Sequence, residues 1–380
     1  MLDFSLNEDQ RAIQDMARSF TADQITPNAE KWDEEHYWPT DVAKAAGELG
    51  FGSIYVSEES GGCGLSRIES VLVFEQLSYG CAPTAAMFSI HNMVAWMIDC
   101  YGNDEQKAKY MPDLVGIDKM ASYCLTEPGS GSDAAALKTK AVRDGDDYVL
   151  NGSKAFISGA GESDIYLVMA RTGEEGPKGI SCFIVEKDTP GLSFGAREKK
   201  LGWNCQRTAT VMFDDCRIPA SNLVGGEGNG FKIAMQGLDG GRLNIGACSI
   251  GGAQRALDEA IVYTKDRKQF GRAIADFQAS QFKLADMATE LEAARLLLYA
   301  GAQKVSDKAP GAGAASAMAK RFATDTGFDI VNRALQLHGG YGYLKDYPVE
   351  KILRDLRVHQ ILEGTNEIMR VVISRELLKD

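Results

Sequence analysis

Glu363 is the residue whose type and setting could do chemistry most directly. It follows two apolar residues, Ile361 and Leu362, and precedes a glycine. A carboxylate held at the entrance of a helix in a partly dry pocket has a raised pKa, which makes it a proton acceptor near neutral pH. The alternative is that Thr365 or Asn366 caps a helix while Glu363 is a solvated surface charge, the commoner fate of a lone glutamate. On this motif alone, the surface charge is the better interpretation.

A second stretch with chemical potential runs from Tyr123 to Asp133, where hydroxyl side chains and two glycines follow Pro128. Gly129 and Gly131 would let the backbone approach a ligand closely, and the hydroxyl and N–H groups could bind a phosphate or the edge of a ring. The spacing is not G-x-G-x-x-G and no βαβ pattern surrounds it, which excludes a Rossmann site. A generic glycine–serine loop is the alternative for any part of the stretch.

The first third of the chain has the pattern of helices. Ser5 with Glu8, and Ser66 with Glu69, each place a hydroxyl three residues ahead of a carboxylate, which is the capping-box signature of a helix start. Glycines stand where the helices should end. We therefore expect an α-helical N-terminal domain over residues 1–120.

Short β-rich runs separated by turn signals follow, which is the pattern of a compact β domain. The runs are 148–150, 165–169, 180–185 and 208–213. The turn signals are Asp144 with Gly145, Asn151 with Gly152, and Pro190 with Gly191. We expect this middle domain to cover residues 121–228.

The helical pattern returns at Gly230 and continues to the end of the chain. One apolar stripe runs from Ile250 to Thr264 at helical spacing, and the segment from Lys308 to Gly311 should interrupt the helices that follow. This predicts a C-terminal α-helical domain over residues 229–380. The chain as a whole is therefore an α+β multidomain protein in the order α, β, α.

Composition narrows the function classes. Of the 380 residues, 44% are apolar and 25% are charged, and no apolar run approaches the ~20 residues of a membrane span, so we expect a soluble globular protein. The formal charge of −12 argues against nucleic acid or an anionic membrane as a general partner. The eight cysteines and four histidines lack metal-ligand spacing, which predicts reduced thiols and no metal site. Residues 1–8 show no leader, which favours a cytoplasmic protein, or a mitochondrial-matrix protein whose leader is missing from this sequence.

Five motifs, in this order along the chain, give it a resemblance to the acyl-CoA dehydrogenase family. They are Tyr123–Asp133, Lys154–Ser158, Arg267–Gly271, Gln336–Gly342 and Leu362–Thr365. The resemblance covers essentially the whole chain. It implies FAD as cofactor, a middle domain of barrel-like or orthogonal sheets, and a C-terminal four-helix bundle.

The resemblance also implies roles for individual residues, with Glu363 as the catalytic base. The implied contacts with flavin, ribityl and pyrophosphate are Tyr123, Leu125, Thr126, Gly131, Ser132, Phe156, Ile157 and Ser158. The implied contacts with the FAD of a neighbouring subunit are Arg267, Gln269, Phe270, Phe277, Gln278, Gln336, Leu337, His338, Gly339 and Gly340. Thr365, Asn366 and Glu367 are further implied cofactor contacts, and the implied acyl-CoA contacts are Ser132, Asp239, Arg242, Leu362, Gly364 and Arg375.

The residues themselves leave two of these roles open. Arg267 could equally form a surface ion pair with Asp266 or Asp276, and Arg242 could simply pair with Asp239. Some members of the family carry their base near the position of Gly241, where this chain has no carboxylate. Glu363 is then the candidate that remains.

The resemblance implies an α,β-dehydrogenation. Glu363 would take the α-proton of the acyl-CoA while flavin takes hydride from the β-carbon, and the electrons would pass to electron-transferring flavoprotein. The Glu363 backbone N–H and a ribityl hydroxyl of FAD would bind the thioester carbonyl in the manner of an oxyanion hole. The family's shared cofactor sites imply a homotetramer built as a dimer of dimers.

Three segments favour a member that acts on a short, branched acyl-CoA such as isobutyryl-CoA. They are Glu198–Asn204, Gly240–Ile245 and Arg357–Glu363. Leu362, where straight-chain members often carry tyrosine, would leave room for an α-branch, or would merely pack beneath Glu363. The alternatives are 2-methylbutyryl-CoA or butyryl-CoA as substrate, an acyl-CoA oxidase, and a non-catalytic flavin-binding or nucleic-acid-associated scaffold, which the acidic charge disfavours.

Overall fold

The N-terminal part of the computed structural model, which describes residues 5–379, is helical as predicted. The first four residues of the segment interpreted above as lacking a leader lie outside the described range. The helices are α1 Glu8–Phe20, α2 Ala29–Glu35, α3 Thr40–Glu48, α4 Arg67–Gly80, α5 Ala82–Tyr101 and α6 Asp104–Val115.

The two predicted capping boxes differ in outcome. Ser66 and Glu69 do form one at the start of α4. The prediction for Ser5 and Glu8 is wrong, because α1 begins at Glu8 with Asn7 as its cap and Gln10 completes the box. Asparagine caps a helix as well as serine does, and here it lies at the right register ahead of a Gln side chain.

The middle part is a mixed β-sheet. Its strands are β1 Ala121–Cys124, β2 Lys140–Asp144, β3 Asp147–Ser158, β4 Ile165–Arg171, β5 Ile180–Glu186, β6 Leu192–Phe194, β7 Thr208–Pro219 and β8 Leu223–Val224. The strand order is β6-β7-β3-β2-β4-β5-β8, with β1 parallel to β4. The strands β2 and β4 are joined through one residue pair, Lys140 and Arg171, so the sheet consists of two halves. Side chains of β3 and β7 from one half and of β4 and β5 from the other share one apolar core.

The turn predicted at Asn151 and Gly152 is wrong, because β3 runs through it without reversing. The pairing of β3 with β7 shifts register between Leu150 and Gly152 and again between Lys154 and Ile157. A glycine within a strand often marks such a bulge. The second bulge contains Phe156, whose φ is +58° and whose side chain is exposed.

The C-terminal part returns to helices after a long α7. The helices are α7 Gly230–Asp266, α8 Gln278–Ser306, α9 Ala312–His338, α10 Pro348–Leu356 and α11 Asn366–Leu377. A small hairpin, β9 Lys268–Gln269 with β10 Arg272–Ala273, follows α7. The predicted interruption between Lys308 and Gly311 is confirmed. None of the helices described over residues 5–379 combines the length and apolarity that a membrane span needs.

Helix α7 positions the site. Its 37 residues extend over about 55 Å, and it packs against α4, α5, α8 and α9 in the main helical core. Glycines at positions 241, 246 and 251 let side chains or backbone of neighbouring elements approach its axis closely. The segment after α10 crosses this part of α7 and carries Glu363.

Candidate active site

Glu363 lies in the short connection between α10 and α11. Its φ is +53° and that of Gly364 is +91°, so two successive residues adopt the left-handed region. Left-handed backbone at a residue other than glycine is strained and persists where surrounding contacts impose it. Thr365 caps α11 by accepting a hydrogen bond from the Ile368 N–H at 3.3 Å. The predicted helix entrance is therefore present, and the carboxylate turns into the protein instead of out to solvent.

The carboxylate of Glu363 rests on the axis of α7 at Gly241. A Cβ atom at position 241 would lie 2.4 Å from Oε2 of Glu363, so no side chain fits there. Glu363 as a whole is half-buried, but its Oε2 atom is closed off from solvent and has no hydrogen-bond partner among residues 5–379. The glycine that excludes a base at position 241 thus makes room for the base at position 363.

Burial raises the pKa of Glu363 to about 7, even though the positive charges of Lys320 and Arg242 act in the opposite direction. A carboxylate with this pKa is about half ionised at neutral pH, which suits a general base. The pKa is thus raised in the direction that a partly dry pocket gives. The two cations keep the ionised form accessible.

Lys320 of α9 is fully buried, and its contacts brace the Glu363 segment. Its Nζ donates to the Gly364 carbonyl and to Oδ1 of Asn366, both at 2.9 Å. Asn366 in turn donates to Thr324 at 2.9 Å and to Asp325 at 2.7 Å, so α9 holds both sides of the entrance to α11. Burial lowers the pKa of Lys320 to about 8, while the nearby Glu363 carboxylate opposes that change.

Arg242 forms the ion pair with Asp239 that was one of its two expected roles, and it also contacts the Glu363 segment. Its Nη1 pairs with Oδ1 of Asp239 at 2.7 Å, and its Nε donates to the Glu363 carbonyl at 3.4 Å. The Glu363 backbone N–H, by contrast, has no acceptor within residues 5–379. It is therefore a free donor beside a carboxylate of raised pKa.

The first two motifs meet at the β1 end of the sheet. The Ser122 hydroxyl donates to the Ser158 carbonyl at 2.6 Å, and the Ala155 N–H donates to the Thr126 carbonyl at 2.8 Å. The fully buried Lys154 pairs with Glu127 at 2.7 Å and fixes the start of the loop. Beyond it, Gly129 and Gly131 have open space beside them, and Ser132 is exposed. The loop is rigidly anchored and open on one side.

Trp203 connects this region to Glu363. Its ring packs edge-on against His359 at 5.5 Å between centroids, and Val358 and Leu362 pack against the same small cluster. His359 is buried, and its Nδ1 lies 2.7 Å from the Ser249 hydroxyl of α7. Burial lowers the pKa of His359 to about 3, so this histidine is neutral at physiological pH.

The remaining motifs meet at the other end of α7. The Arg267 guanidinium lies over the ring of Tyr341 at 5.4 Å, and among the ion pairs of residues 5–379 there is none between Arg267 and Asp266 or Asp276. Tyr263 stacks on His338 at 4.4 Å between centroids. Several residues predicted to contact the FAD of a neighbouring subunit are exposed, and Phe270 is the most exposed of them at 94%. The members exposed in this group are Arg267, Gln269, Phe270, Gln278, Gln336, Gly339 and Gly340.

This second group is far from Glu363 within one chain. Glu363 contacts Gly241, whereas Arg267 follows the last turn of α7, and the 26 intervening helical steps correspond to about 40 Å. The two groups cannot contribute to one compact site on a single chain.

Some residues predicted as contacts have side chains that point elsewhere. Leu125 and Ile157 lie in apolar cores and His338 is buried beside Tyr263, so only their backbones are available to a cofactor. Arg375 is exposed near the end of α11. These positions remain predictions for a bound complex.

Sequence reasoning missed Lys320, Asn244 and Tyr55. Asn244 of α7 donates to the Tyr55 hydroxyl at 3.2 Å and accepts from the Ser70 hydroxyl at 2.9 Å, and Glu363 is near enough to raise the pKa of Tyr55 further. The sequence does carry one signal for Lys320. It stands four residues after Ser316 and four before Thr324, which places a lysine on a helix face of small residues. The neighbouring residues on that face of α9 are small and buried.

Three family models match nearly the whole chain. They are described as the N-terminal, middle and C-terminal domains of acyl-CoA dehydrogenase, and they match residues 7–118, 122–216 and 228–378. Among curated relatives, a protein named mitochondrial isobutyryl-CoA dehydrogenase from Dictyostelium discoideum is 59% identical over 99% of this chain and 90% of its own length. One of the same name from Bos taurus is 54% identical over the same shares.

Solved structures agree along the full length. Butyryl-CoA dehydrogenase from Megasphaera elsdenii is 38% identical and superposes with a TM-score of 0.96, covering 100% of both chains. A chain from a structure described as an electron transferring flavoprotein of Acidaminococcus fermentans is 45% identical, with a TM-score of 0.97 and the same coverage.

Proposed function

Because the chain belongs to the acyl-CoA dehydrogenase family, we propose that it removes the α- and β-hydrogens of a short, branched acyl-CoA, with Glu363 as the base. One observation carries the assignment of the base. Glu363 combines a solvent-inaccessible carboxylate oxygen, a pKa of about 7 and a backbone N–H of its own that has no acceptor in the described part of the chain. A proton acceptor and a carbonyl-binding donor thus belong to the same residue.

The chain's own residues perform the proton transfer. The thioester carbonyl accepts a hydrogen bond from the Glu363 N–H, which withdraws electrons and makes the α-proton more acidic. The ionised Glu363 carboxylate then forms an O–H bond as the α C–H bond breaks. Lys320 and Arg242 hold the carboxylate segment in place and favour its ionised form.

The residues of the β1 end fit a flavin. Gly129 and Gly131 leave open space beside the loop. Three buried polar atoms there have no partner among the residues that the structure describes: the Tyr123 hydroxyl, Nε1 of Trp203 and Nε2 of Gln206. Tyr123 through Ser132 and Phe156 through Ser158 would hold its ring and ribityl chain. When bound, FAD would supply the acceptor for the hydride that leaves the β-carbon.

The exposed group around Arg267 supports a cofactor site completed by a second subunit. Arg267 provides a fixed positive charge suited to pyrophosphate, and Gly339 and Gly340 have no neighbouring atoms that would keep a ligand away. Since this group lies about 40 Å from Glu363, it would serve the FAD of a neighbouring chain. A homotetramer built as a dimer of dimers accommodates such sharing.

Isobutyryl-CoA is the substrate that we propose. Two relatives above 50% identity carry that name, and Leu362 packs beside Trp203 next to the base. Electron-transferring flavoprotein is the proposed electron acceptor, in keeping with the family and with the described source of one similar structure. Both relatives are named mitochondrial, which supports the matrix as a site of action, with the bacterial cytoplasm as the alternative.

Anaerobic titration of the FAD-loaded protein tests the proposal. Isobutyryl-CoA should bleach the flavin absorbance stoichiometrically, and octanoyl-CoA should do so far more slowly. A protein that holds FAD but is bleached by no acyl-CoA would be a scaffold and not a dehydrogenase. Peroxide production at the rate of turnover in air would indicate an oxidase.

A further inference from the structure

Cys81 and Cys205 form a thiol pair that the dehydrogenation does not use. Cys81 lies between α4 and α5, and Cys205 lies in the segment that leads into β7. Their Sγ atoms are 4.0 Å apart, and both residues are buried. Disulfide formation needs the two atoms to approach to about 2.05 Å, which is a movement of about 2 Å.

The surroundings of Cys81 favour its thiolate. The Lys351 ammonium donates to Cys81 Sγ at 3.6 Å and to Asp355 at 2.6 Å, and Cys81 itself stands at the N-terminal cap of the 20-residue α5. A nearby ammonium and a helix N-terminus both stabilise a thiolate. The contact with Cys205, and then the Lys351 ammonium, lower the pKa of Cys81 to about 6. The same contact with Cys81 raises the pKa of Cys205.

A small cavity reaches Cys81. It has a volume of about 50 Å³ and is lined by Cys81, Lys351, Asp355, Arg255 and neighbouring residues of α2 and α4. A cavity measured in this way holds a water molecule with about 10–15 Å³, so a small oxidant such as hydrogen peroxide fits. The Cys81 thiolate is therefore buried, but it borders a cavity that is also lined by charged side chains.

We propose that Cys81 and Cys205 are a site of reversible oxidation by peroxide, with Cys81 as the reacting thiol and Cys205 as the resolving thiol. The Cys81 thiolate attacks one peroxide oxygen, so that an S–O bond forms, the O–O bond breaks, and the departing hydroxide takes a proton to become water. Cys205 then attacks the sulfenic sulfur, the S–S bond forms, and the S–O bond breaks. The Cys205 proton leaves with the second water, and two electrons have passed from the sulfurs to the peroxide.

Oxidation at this pair would be transmitted to the segment beside Glu363. Asp355, the partner of Lys351, accepts a hydrogen bond from the backbone N–H of Trp203 at 2.6 Å, and Cys205 follows Trp203 by two residues. Drawing Cys205 toward α5 therefore displaces the turn that holds Trp203 against His359. The contact between Trp203 and His359 thus links the position of Cys205 to the segment that carries Glu363.

The test is peptide mapping of the FAD-loaded protein by mass spectrometry after graded hydrogen peroxide, without reduction. We expect a cross-linked pair of peptides containing Cys81 and Cys205, lost on treatment with a dithiol. In Cys205→Ser the cross-link should be replaced by a Cys81 sulfenic acid that a cyclic 1,3-diketone traps. The control is Cys248→Ser, which removes another buried thiol and should leave the cross-link unchanged.

Two results would overturn the proposal. One is that Cys81 is oxidised no faster than Cys182, a buried thiol whose pKa is raised by burial. The other is that Cys205→Ser leaves the products at Cys81 unchanged, because Cys205 would then have no resolving role. A misfolded Cys205→Ser would not obscure the outcome, since the wild-type cross-link alone decides the first comparison.

Discussion

Replacing Lys320 by methionine isolates the electrostatic part of its contact with the Glu363 segment. Lys320 is fully buried, and its charge lowers the pKa of Glu363 against the larger effect of burial. Removing that charge should raise the pKa of Glu363 above its present value of about 7. At an effective dielectric constant near 20, a unit charge about 6–12 Å away is worth about 1.4–2.7 kcal/mol, or roughly one to two pKa units.

The consequence for activity follows from the fraction of Glu363 that is ionised. In the native protein about half is ionised at pH 7. A rise of one to two units leaves about a tenth to a hundredth ionised, so kcat/KM at pH 7 should fall roughly 5- to 50-fold. Lys320 itself has a pKa of about 8, so it is largely neutral at pH 9 in the native protein. The two profiles should therefore converge at alkaline pH.

The assay is the pH dependence of kcat/KM, which reports ionisations of the free enzyme, from pH 5.5 to 9.5. Lys320→Arg keeps the charge and should keep the midpoint, and Lys304→Met removes an exposed lysine from α8 as a control for net charge. If Lys320→Met lowers kcat/KM equally at every pH, its role is only to support the loop. An unchanged midpoint with full activity would refute the electrostatic argument altogether.

Four other variants or measurements test the site. Glu363→Gln should retain FAD and acyl-CoA binding but slow flavin reduction by at least the ~10²–10⁴-fold typical of a general base, and near-normal reduction would exclude Glu363. Gly241→Ala should slow flavin reduction at least ~10-fold, because its Cβ would lie 2.4 Å from Oε2 of Glu363. The higher helix propensity of alanine would by itself stabilise α7 by about 1 kcal/mol, so unchanged kinetics would contradict this packing. Wild type should prefer isobutyryl-CoA over butyryl-CoA by roughly 10- to 200-fold in kcat/KM, and Leu362→Tyr should reduce that ratio; an unchanged ratio would place the determinant elsewhere. Light scattering with flavin quantification should find FAD lost together with the tetramer, and a monomer with stoichiometric FAD would contradict a site shared between chains.

Much of the fold was predictable because its signals are local. The α, β, α order, the capping box at Ser66 and the interruption before α9 each depend on a few adjacent residues. The errors occurred where local signals compete. Asn7 takes over a cap that Ser5 could have formed, and the strand β3 absorbs Asn151 and Gly152 in a bulge because β7 pairs with it on both sides. A turn signal inside a strand is overruled only by a partner that is distant in sequence.

The site, too, combines features that local sequence predicts with features that depend on residues distant in sequence. The motif around Glu363 identified a candidate base, but the motif alone favoured a surface charge, and nothing local tells a buried glutamate from an exposed one. What distinguishes them lies 43 residues earlier, at Lys320, and 122 residues earlier, at Gly241. The first supplies the charge that keeps the carboxylate ionisable, and the second supplies the space that it fills.

The strained backbone at Glu363 has a physical reason in these distant contacts. With φ at +53°, the residue directs its carboxylate onto Gly241, while its N–H has no acceptor among the described residues. A relaxed, helical connection from α10 into α11 would commit that N–H to a carbonyl one turn earlier. Lys320 and Arg242, which hold the carbonyls of Gly364 and Glu363, offset the cost of the left-handed conformation, about 1–3 kcal/mol. The strain therefore keeps one residue available both as base and as carbonyl donor, and relaxing it would remove the donor even if the carboxylate stayed in place.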